Sequence, residues 1–174
     1  MRRHVVLVGL PGSGKTTVGR QAAALLGAPF LDVDEEIERE TGQTIREIFE
    51  ARGEVGFRQL ELDAMRSALG ARPAVLAPGG GWAAQPGAME HARELAFIIY
   101  LSVPAEVAAQ RCGVDGQRST ADRRPLTVDR SIAVLMKARE PFYQQADVVV
   151  SNAADDPKPV ARLVAELARQ HAGW

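Results

Sequence analysis

Short apolar runs alternate with segments of helical periodicity along the chain. The runs are rich in β-branched residues and contain no polar alternation, a pattern typical of strands buried on both faces of a parallel sheet. Their alternation with helices predicts a three-layer α/β domain. The predicted strands lie at 4–9, 29–32, 74–77, 97–101 and 148–150.

Capping and breaking residues locate the helices between these runs. Thr44 and Glu47 have the spacing of a capping box, which predicts that a helix starts there. Gly53 and Gly56 predict a break, with a second helix from about Phe57. Further helices are predicted at 15–26, 104–112, 129–143 and 157–170.

One long segment, 113–127, is polar and lacks apolar periodicity. It contains Arg118, Arg123 and Arg124, and a stretch of this length without regular structure is typical of a functional loop. We therefore predict a mobile lid at 113–127 within a single domain of 1–174.

Composition narrows the function classes. Of the 174 residues, 46% are hydrophobic and 25% charged, which suits one compact domain and excludes intrinsic disorder. Lys and Arg number 21 against 22 Asp and Glu, a net charge of −1. No global basic field would therefore recruit nucleic acid or anionic lipid, and an anionic ligand needs a local site.

Cysteine use and the N-terminal residues bear on location. The single cysteine, Cys112, excludes an internal disulfide and a thiolate metal cluster. The apolar run after Arg2 and Arg3 is too short for a signal peptide or a membrane span, so we expect a cytoplasmic protein. A monomer is expected because no long apolar stripe stays exposed once helices cover the sheet.

The first predicted strand leads into a glycine-rich segment, 9–16, that matches G-x-x-x-x-G-K-[ST] and precedes a helix. In this motif backbone N–H groups and the helix N-terminus face a phosphate. Lys15 would reach the β- and γ-phosphates and the Thr16 hydroxyl would bind Mg²⁺, so a nucleoside triphosphate with Mg²⁺ is the expected ligand. The nucleotide-binding candidates are Gly12, Ser13, Gly14, Lys15, Thr16 and Thr17.

Two missing motifs narrow the choice of phosphoryl acceptor. A guanine-reading Asn-Lys-x-Asp motif is absent, since the only asparagine of the sequence, Asn152, is followed by Ala153 and not by lysine. A motor-type ATPase would end its third strand with an acidic pair, whereas the run 74–77 leads into Pro78 and three glycines. A small-molecule kinase is therefore favoured.

Two carboxylates follow the second predicted strand. Asp32 and Asp34 should lie near the phosphates, because the carboxyl ends of parallel strands line the ligand crevice. Side chains alternate in direction along a strand, which would separate the roles of the two carboxylates. One would bind the metal ion and the other a substrate hydroxyl. The alternative is that Asp34 only N-caps a helix that starts at Glu35.

Two arginines are candidates for binding an anionic acceptor. Arg58 has Glu54 and Glu61 on its own helical face, which would hold the guanidinium or form an ordinary surface pair. Arg139 falls on the apolar stripe of its helix, and a buried guanidinium needs an anion. A structural salt bridge or snorkelling toward solvent is the alternative for Arg139. The predicted stripe consists of Ile132, Leu135, Arg139 and Phe142.

A glycine triplet, Gly79 to Gly81, follows the third predicted strand. Its exposed N–H groups suit close approach of a small ligand, and a tight turn is the alternative. Trp82 comes next, and we expect its indole at the edge of the acceptor pocket rather than in the core. Trp174 is expected to be frayed in water.

Together these motifs resemble the shikimate kinase family over nearly the whole chain. The family implies a five-stranded parallel sheet of the nucleoside-monophosphate-kinase type, and ATP-dependent phosphorylation of the 3-hydroxyl of shikimate in aromatic amino-acid biosynthesis. The supporting features are the loop at 9–17, Asp32-x-Asp34, Phe57-Arg58, Gly79-Gly80-Gly81, Arg124-Pro125-Leu126, and Arg139 four residues before Tyr143.

The resemblance also implies roles by position. Lys15 and Arg124 would neutralise charge on the transferring phosphoryl group, while Asp34 orients the hydroxyl and accepts its proton. Arg111 would lie against adenine, with Arg118 as a competing candidate. Mg²⁺ would be bound by Thr16 and Asp32, and shikimate by Asp34, Arg58, Gly79, Gly80, Gly81 and Arg139.

Two other functions stay open. A kinase for another small hydroxy acid, such as gluconate, would use the same scaffold, and Trp82 supports it by reshaping the acceptor pocket. The non-enzyme alternative is an ATP-binding module that has lost turnover. The presence of Lys15, Asp34 and Arg124 argues against such a module.

Overall fold

The computed structural model describes residues 1–114 and 131–174, and of Gly113 and Val114 it describes the backbone. All five predicted strands are present, each within one residue of its predicted bounds. They are β1 His4–Val8, β2 Phe30–Asp32, β3 Val75–Ala77, β4 Ala96–Ser102 and β5 Val148–Ser151.

The strands form one sheet in the order β2-β3-β1-β4-β5, and every pairing is parallel. β1 is central, with Val5 paired to Val75 of β3 and to Phe97 of β4. The predicted α/β class and five-stranded parallel sheet are confirmed. Because all carboxyl ends lie at one edge of such a sheet, the loops that follow β1, β2 and β3 meet there.

Seven α-helices in the described part of the chain cover both faces of the sheet, which gives three layers. They are α1 Lys15–Leu26, α2 Val33–Thr41, α3 Ile45–Gly70, α4 Ala88–Leu95, α5 Ala105–Val114, α6 Ile132–Tyr143 and α7 Lys158–His171, with a 3₁₀ turn at Trp82–Ala84. Val5 and Leu7 of β1 face a core shared with α1 and α7. Val6 and Val8 face the other core, which the remaining helices line.

Helix α3 starts at the predicted capping box. The Thr44 hydroxyl accepts from Glu47 N, and the Glu47 carboxylate accepts from Thr44 N at 2.7 Å. The predicted break occurs at Gly53, whose φ of 65° and ψ of −175° are non-helical. The predicted second helical segment is present, but it resumes directly after Gly53, before the predicted start near Phe57, since Gly56 is helical.

Helix α6 begins at Ile132, later than the predicted 129. The Ser131 hydroxyl accepts from Val134 N at 3.3 Å and caps the helix. The predicted lid lies outside the described residues, apart from Gly113 and Val114, which end α5. No helix among the described residues is both long and apolar enough to cross a bilayer.

Trp174 is not frayed, contrary to expectation. Its Nε1 donates to Arg3 O at 3.0 Å, and the Arg2 guanidinium lies 5.1 Å from the ring centroid. The ring also packs against the core that α1 and α7 share. An aromatic side chain with apolar contacts and a satisfied N–H is held in place even at the end of a chain.

Candidate active site

The phosphate loop connects β1 to α1 and turns at its glycines. Gly12 and Gly14 have φ of 80° and 88°, in the left-handed region that favours glycine, and Gly14 is the N-cap of α1. Lys15 Nζ donates to Gly9 O at 2.8 Å and to Leu10 O at 2.9 Å. The ammonium group is therefore held beside the loop, where this motif binds phosphates.

Two neighbouring elements determine the shape of the loop. A Cβ placed on Gly12 would lie 2.5 Å from Ala108 O, so the loop packs directly on α5. Asn152, which follows β5, is buried, and its Nδ2 donates to Ser13 O at 2.8 Å. A Cβ placed on Gly14 would lie 2.5 Å from that same Nδ2. A hydrogen atom is all that fits at both glycines.

The sequence did not identify Asn152 as a residue of the nucleotide site. It was considered only as a possible part of a guanine-binding motif, which it does not match. Its position could have indicated the role. A polar residue directly after a buried strand lies at the carboxyl edge of the sheet, where the loops of neighbouring strands meet.

Arg111 lies near the end of α5 and bridges two loops. Its Nη2 donates to Ala154 O at 2.9 Å and its Nη1 to Gly12 O at 3.4 Å. These bonds bring the arginine to the phosphate loop and to the segment after β5. Its contact with adenine stays a prediction, and its competitor Arg118 lies in the part of the chain that is not described.

Thr16 and Asp32 meet where α1 begins and β2 ends. Thr16 Oγ1 donates to Asp32 Oδ2 at 2.6 Å. Burial raises the pKa of the Asp32 carboxyl, so a nearby cation would stabilise its ionised form. Mg²⁺ takes oxygen ligands, often one or two protein groups with waters and nucleotide phosphates. This hydroxyl and carboxylate therefore fit Mg²⁺.

Asp34 is buried in the first turn of α2. β2 ends at Asp32, so a helix start, and not strand alternation, separates the two carboxylates. Asp32 is also the residue that caps α2: its Oδ1 accepts from Asp34 N at 3.0 Å and from Glu35 N at 3.3 Å. The capping alternative for Asp34 is therefore wrong, and capping does not account for its buried carboxylate.

Arg58 lies on α3 and is paired with two carboxylates of the same helix. Its Nη1 donates to Glu61 at 2.6 Å and its Nη2 to Glu54 at 3.4 Å, which confirms the predicted pairing. The pair is not at the surface, since the Arg58 side chain is 11% exposed and that of Glu61 is 0%. A Cβ placed on Gly81 would overlap the guanidinium, so the glycine triplet packs directly on Arg58.

Arg139 reaches the same glycine triplet from α6. A Cβ placed on Gly80 would lie 3.2 Å from Arg139 Nη1 and 2.9 Å from Pro11 Cδ in the phosphate loop. Gly80 therefore packs against both the arginine and the phosphate loop. The two arginines and the phosphate loop converge on two adjacent glycines.

The predicted apolar stripe of α6 is partly wrong. Phe142 is 36% exposed, whereas Tyr143 is buried at 0%. At 100° per residue, Tyr143 lies about 20° from Ile132 around the helix and Phe142 about 80°. Tyr143 therefore continues the buried line of Ile132.

The glycine triplet is also a tight turn, in which Trp82 N donates to Gly79 O at 3.0 Å. Trp82 is 1% exposed and packs in the core, so the expected indole at the pocket edge is wrong. Its 3₁₀ turn contacts α3, α4 and α6. Those helices provide the bulk around the indole that the adjacent alanines lack.

Comparison with known proteins identifies the family. The family model for shikimate kinase matches residues 11–170. The shikimate kinase of Moorella thermoacetica is 39% identical over 166 residues, which cover 95% of this chain and 94% of that protein. The chain belongs to the shikimate kinase family. It is therefore an enzyme, a kinase, as the phosphate loop predicts.

Solved structures agree with this assignment. The shikimate kinase from Acinetobacter baumannii in complex with shikimate has a TM-score of 0.87 at 36% identity, covering 98% of this chain and 94% of that chain. A gluconokinase from Sinorhizobium meliloti has a TM-score of 0.67 at 20% identity, covering 99% and 94%. That identity shows a shared fold alone and does not favour gluconate.

Two predicted contacts with the nucleotide, those of Arg124 and Thr17, are not tested by the structure. Arg124 lies outside residues 1–114 and 131–174, so its contact with the phosphates stays a prediction. Thr17 is exposed in the first turn of α1, and its contact with the nucleotide also stays a prediction.

Proposed function

We propose that this chain transfers the γ-phosphoryl group of ATP to the 3-hydroxyl of shikimate, giving shikimate 3-phosphate and ADP. The main support is the Gly80–Gly81 segment, which contacts Arg139, Arg58 and the phosphate loop. Guanidinium groups suit a carboxylate, which they can bind through two parallel hydrogen bonds. Shikimate presents one carboxylate and vicinal hydroxyls on a single ring.

Positioning accounts for most of the proposed chemistry. Arg58 and Arg139 bind the carboxylate and orient the ring toward the phosphate loop. The 3-hydroxyl oxygen bonds to the γ-phosphorus, and the bond to the bridging oxygen of ADP breaks. Asp34 accepts the hydroxyl proton. Lys15 and Arg124 balance charge on the phosphoryl oxygens.

Thr16 and Asp32 are the proposed Mg²⁺ ligands. The ion would neutralise phosphate charge when bound. The proposed working form is a cytoplasmic monomer with ATP and shikimate as its small-molecule partners. The net charge of −1 gives no support to a nucleic-acid or membrane partner.

A coupled ADP-release assay with shikimate, with gluconate and without acceptor tests this function. We expect release that depends on shikimate and on Mg²⁺. Release with gluconate but not with shikimate would favour a kinase for a different acid, and no release with any acceptor would favour a silent module. Lys15→Ala, prepared in the same way, controls for contaminating kinases.

A further inference from the structure

Tyr143, at the end of α6, contacts the proposed acceptor site. The proposed reaction does not use this residue. Its hydroxyl donates to Gly80 O at 2.5 Å, and the residue is 0% exposed. Gly80 is the residue that packs against both Arg139 and the phosphate loop. The hydrogen bond therefore joins α6 to the backbone at the centre of the proposed site.

Arg139 lies four residues before Tyr143, so both side chains project from the same face of α6. The tyrosine binds the carbonyl of Gly80, while the arginine lies against its α-carbon. Moving Gly80 would change the space beside Arg139 and beside Pro11 together. The position of this one peptide unit thus affects how the acceptor is held relative to the phosphate loop.

We propose that Tyr143 is a positioning residue of the acceptor site, which holds the Gly80 backbone and, through α6, the Arg139 guanidinium in the geometry that binds shikimate. This inference rests on the proposed function. The phenol is fully buried and does not reach substrate itself. Removing its hydroxyl should weaken acceptor binding and leave the nucleotide side unchanged.

Tyr100, on β4, offers a matched control within the same core. Its ring packs against that of Tyr143 in a tilted arrangement with centroids 5.1 Å apart, and it is 1% exposed. Its hydroxyl faces the Ser102 side chain, and burial raises the pKa of this phenol. Tyr100→Phe therefore removes a buried hydroxyl next to Tyr143 without touching Gly80.

The test compares Tyr143→Phe, Tyr100→Phe and the unmodified protein. The measurements are KM for shikimate, KM for ATP and the melting temperature. We expect Tyr143→Phe to raise KM for shikimate by about three- to tenfold, the effect of losing one buried hydrogen bond, with KM for ATP changed by less than about twofold. Tyr100→Phe should change neither KM.

An unchanged KM for shikimate in Tyr143→Phe, or the same rise in both variants, would overturn the inference. Calorimetric titration of shikimate guards against partial unfolding, because an unfolded fraction lowers the binding stoichiometry and leaves the affinity of folded molecules unchanged. An unmodified protein that does not phosphorylate shikimate would overturn the proposed function and this inference together. Turnover of shikimate with no selective effect of Tyr143→Phe overturns the inference alone.

Discussion

Lys15 donates to two carbonyls of the phosphate loop and, in the proposed reaction, to the phosphates of ATP. It belongs to neither core, so Lys15→Ala should leave the fold intact. We expect kcat to fall by about 10²–10³-fold, the usual effect of removing one charge-stabilising donor. Circular dichroism and steady-state kinetics measure the two effects. The exposed Lys137→Ala is the control, and wild-type turnover in folded Lys15→Ala would contradict the role of the loop.

Asn152 is predicted to act on nucleotide binding through the loop. Asn152→Ala removes the buried donor to Ser13 O, so the free energy of unfolding should fall by about 1–3 kcal/mol. KM for ATP should rise several-fold, while KM for shikimate stays near its original value. Ser151→Ala, at the exposed neighbouring position, should change neither constant. A larger effect on shikimate than on ATP would exclude this role.

Residue pairs within one helix could be predicted, because helical spacing determines which side chains meet. The Thr44–Glu47 box and the Arg58–Glu61 pair are examples. The direction of the Trp82 side chain could not be predicted, since elements distant in sequence determine it. The position of Asn152 at the carboxyl edge of the sheet could be predicted, but its hydrogen bond to Ser13 O could not. The predicted stripe wrongly placed Phe142 in the core. The stripe assumed that each step of three or four residues stays on one face, but the rotations of successive steps add up and turn Phe142 away from Ile132.

At the scale of elements, apolar runs predicted the five strands closely. β1, β3 and nearly all of β4 are buried between the helical layers, whereas the edge strands β2 and β5 are only partly buried. Helix boundaries were less well predicted. The kink in α3 lies at Gly53, the one residue of the helix with non-helical φ and ψ, and Gly56 keeps helical geometry. The break therefore depends on Gly53 alone of the two glycines.

Gly53→Ala tests the break. Apart from neighbouring backbone, no atom of residues 1–114 and 131–174 would lie within 4 Å of a Cβ there, so its cost comes from the backbone, where φ is 65°. Conformations of this kind cost other residues about 1–3 kcal/mol, and denaturant unfolding should show that loss of stability. Gly70→Ala, at the end of the same helix and equally uncrowded, should be neutral or slightly stabilising. Equal effects of both substitutions would show that the kink does not require glycine.

At the scale of the whole molecule, the site arises from strand order. β1 lies next to β3, which brings the phosphate loop beside the glycine triplet although about seventy residues separate them in sequence. The motif and its family resemblance predicted the chemistry of each part. The contact of Gly80 with Pro11, and of Gly81 with Arg58, depends on packing that no local pattern specifies.

The central claim is that the acceptor binds between Arg58, Arg139 and the phosphate loop. Calorimetric titration of shikimate and, separately, of ATP into Arg58→Ala and Arg139→Ala tests it most directly. Removing one partner of a desolvated ion pair costs about 2–5 kcal/mol, so shikimate affinity should fall by at least about tenfold while ATP affinity stays within about twofold. Arg20→Ala, which removes an exposed pair with Glu35, should change neither affinity. Comparable weakening of ATP binding, or unchanged shikimate affinity in the folded variants, would contradict the account.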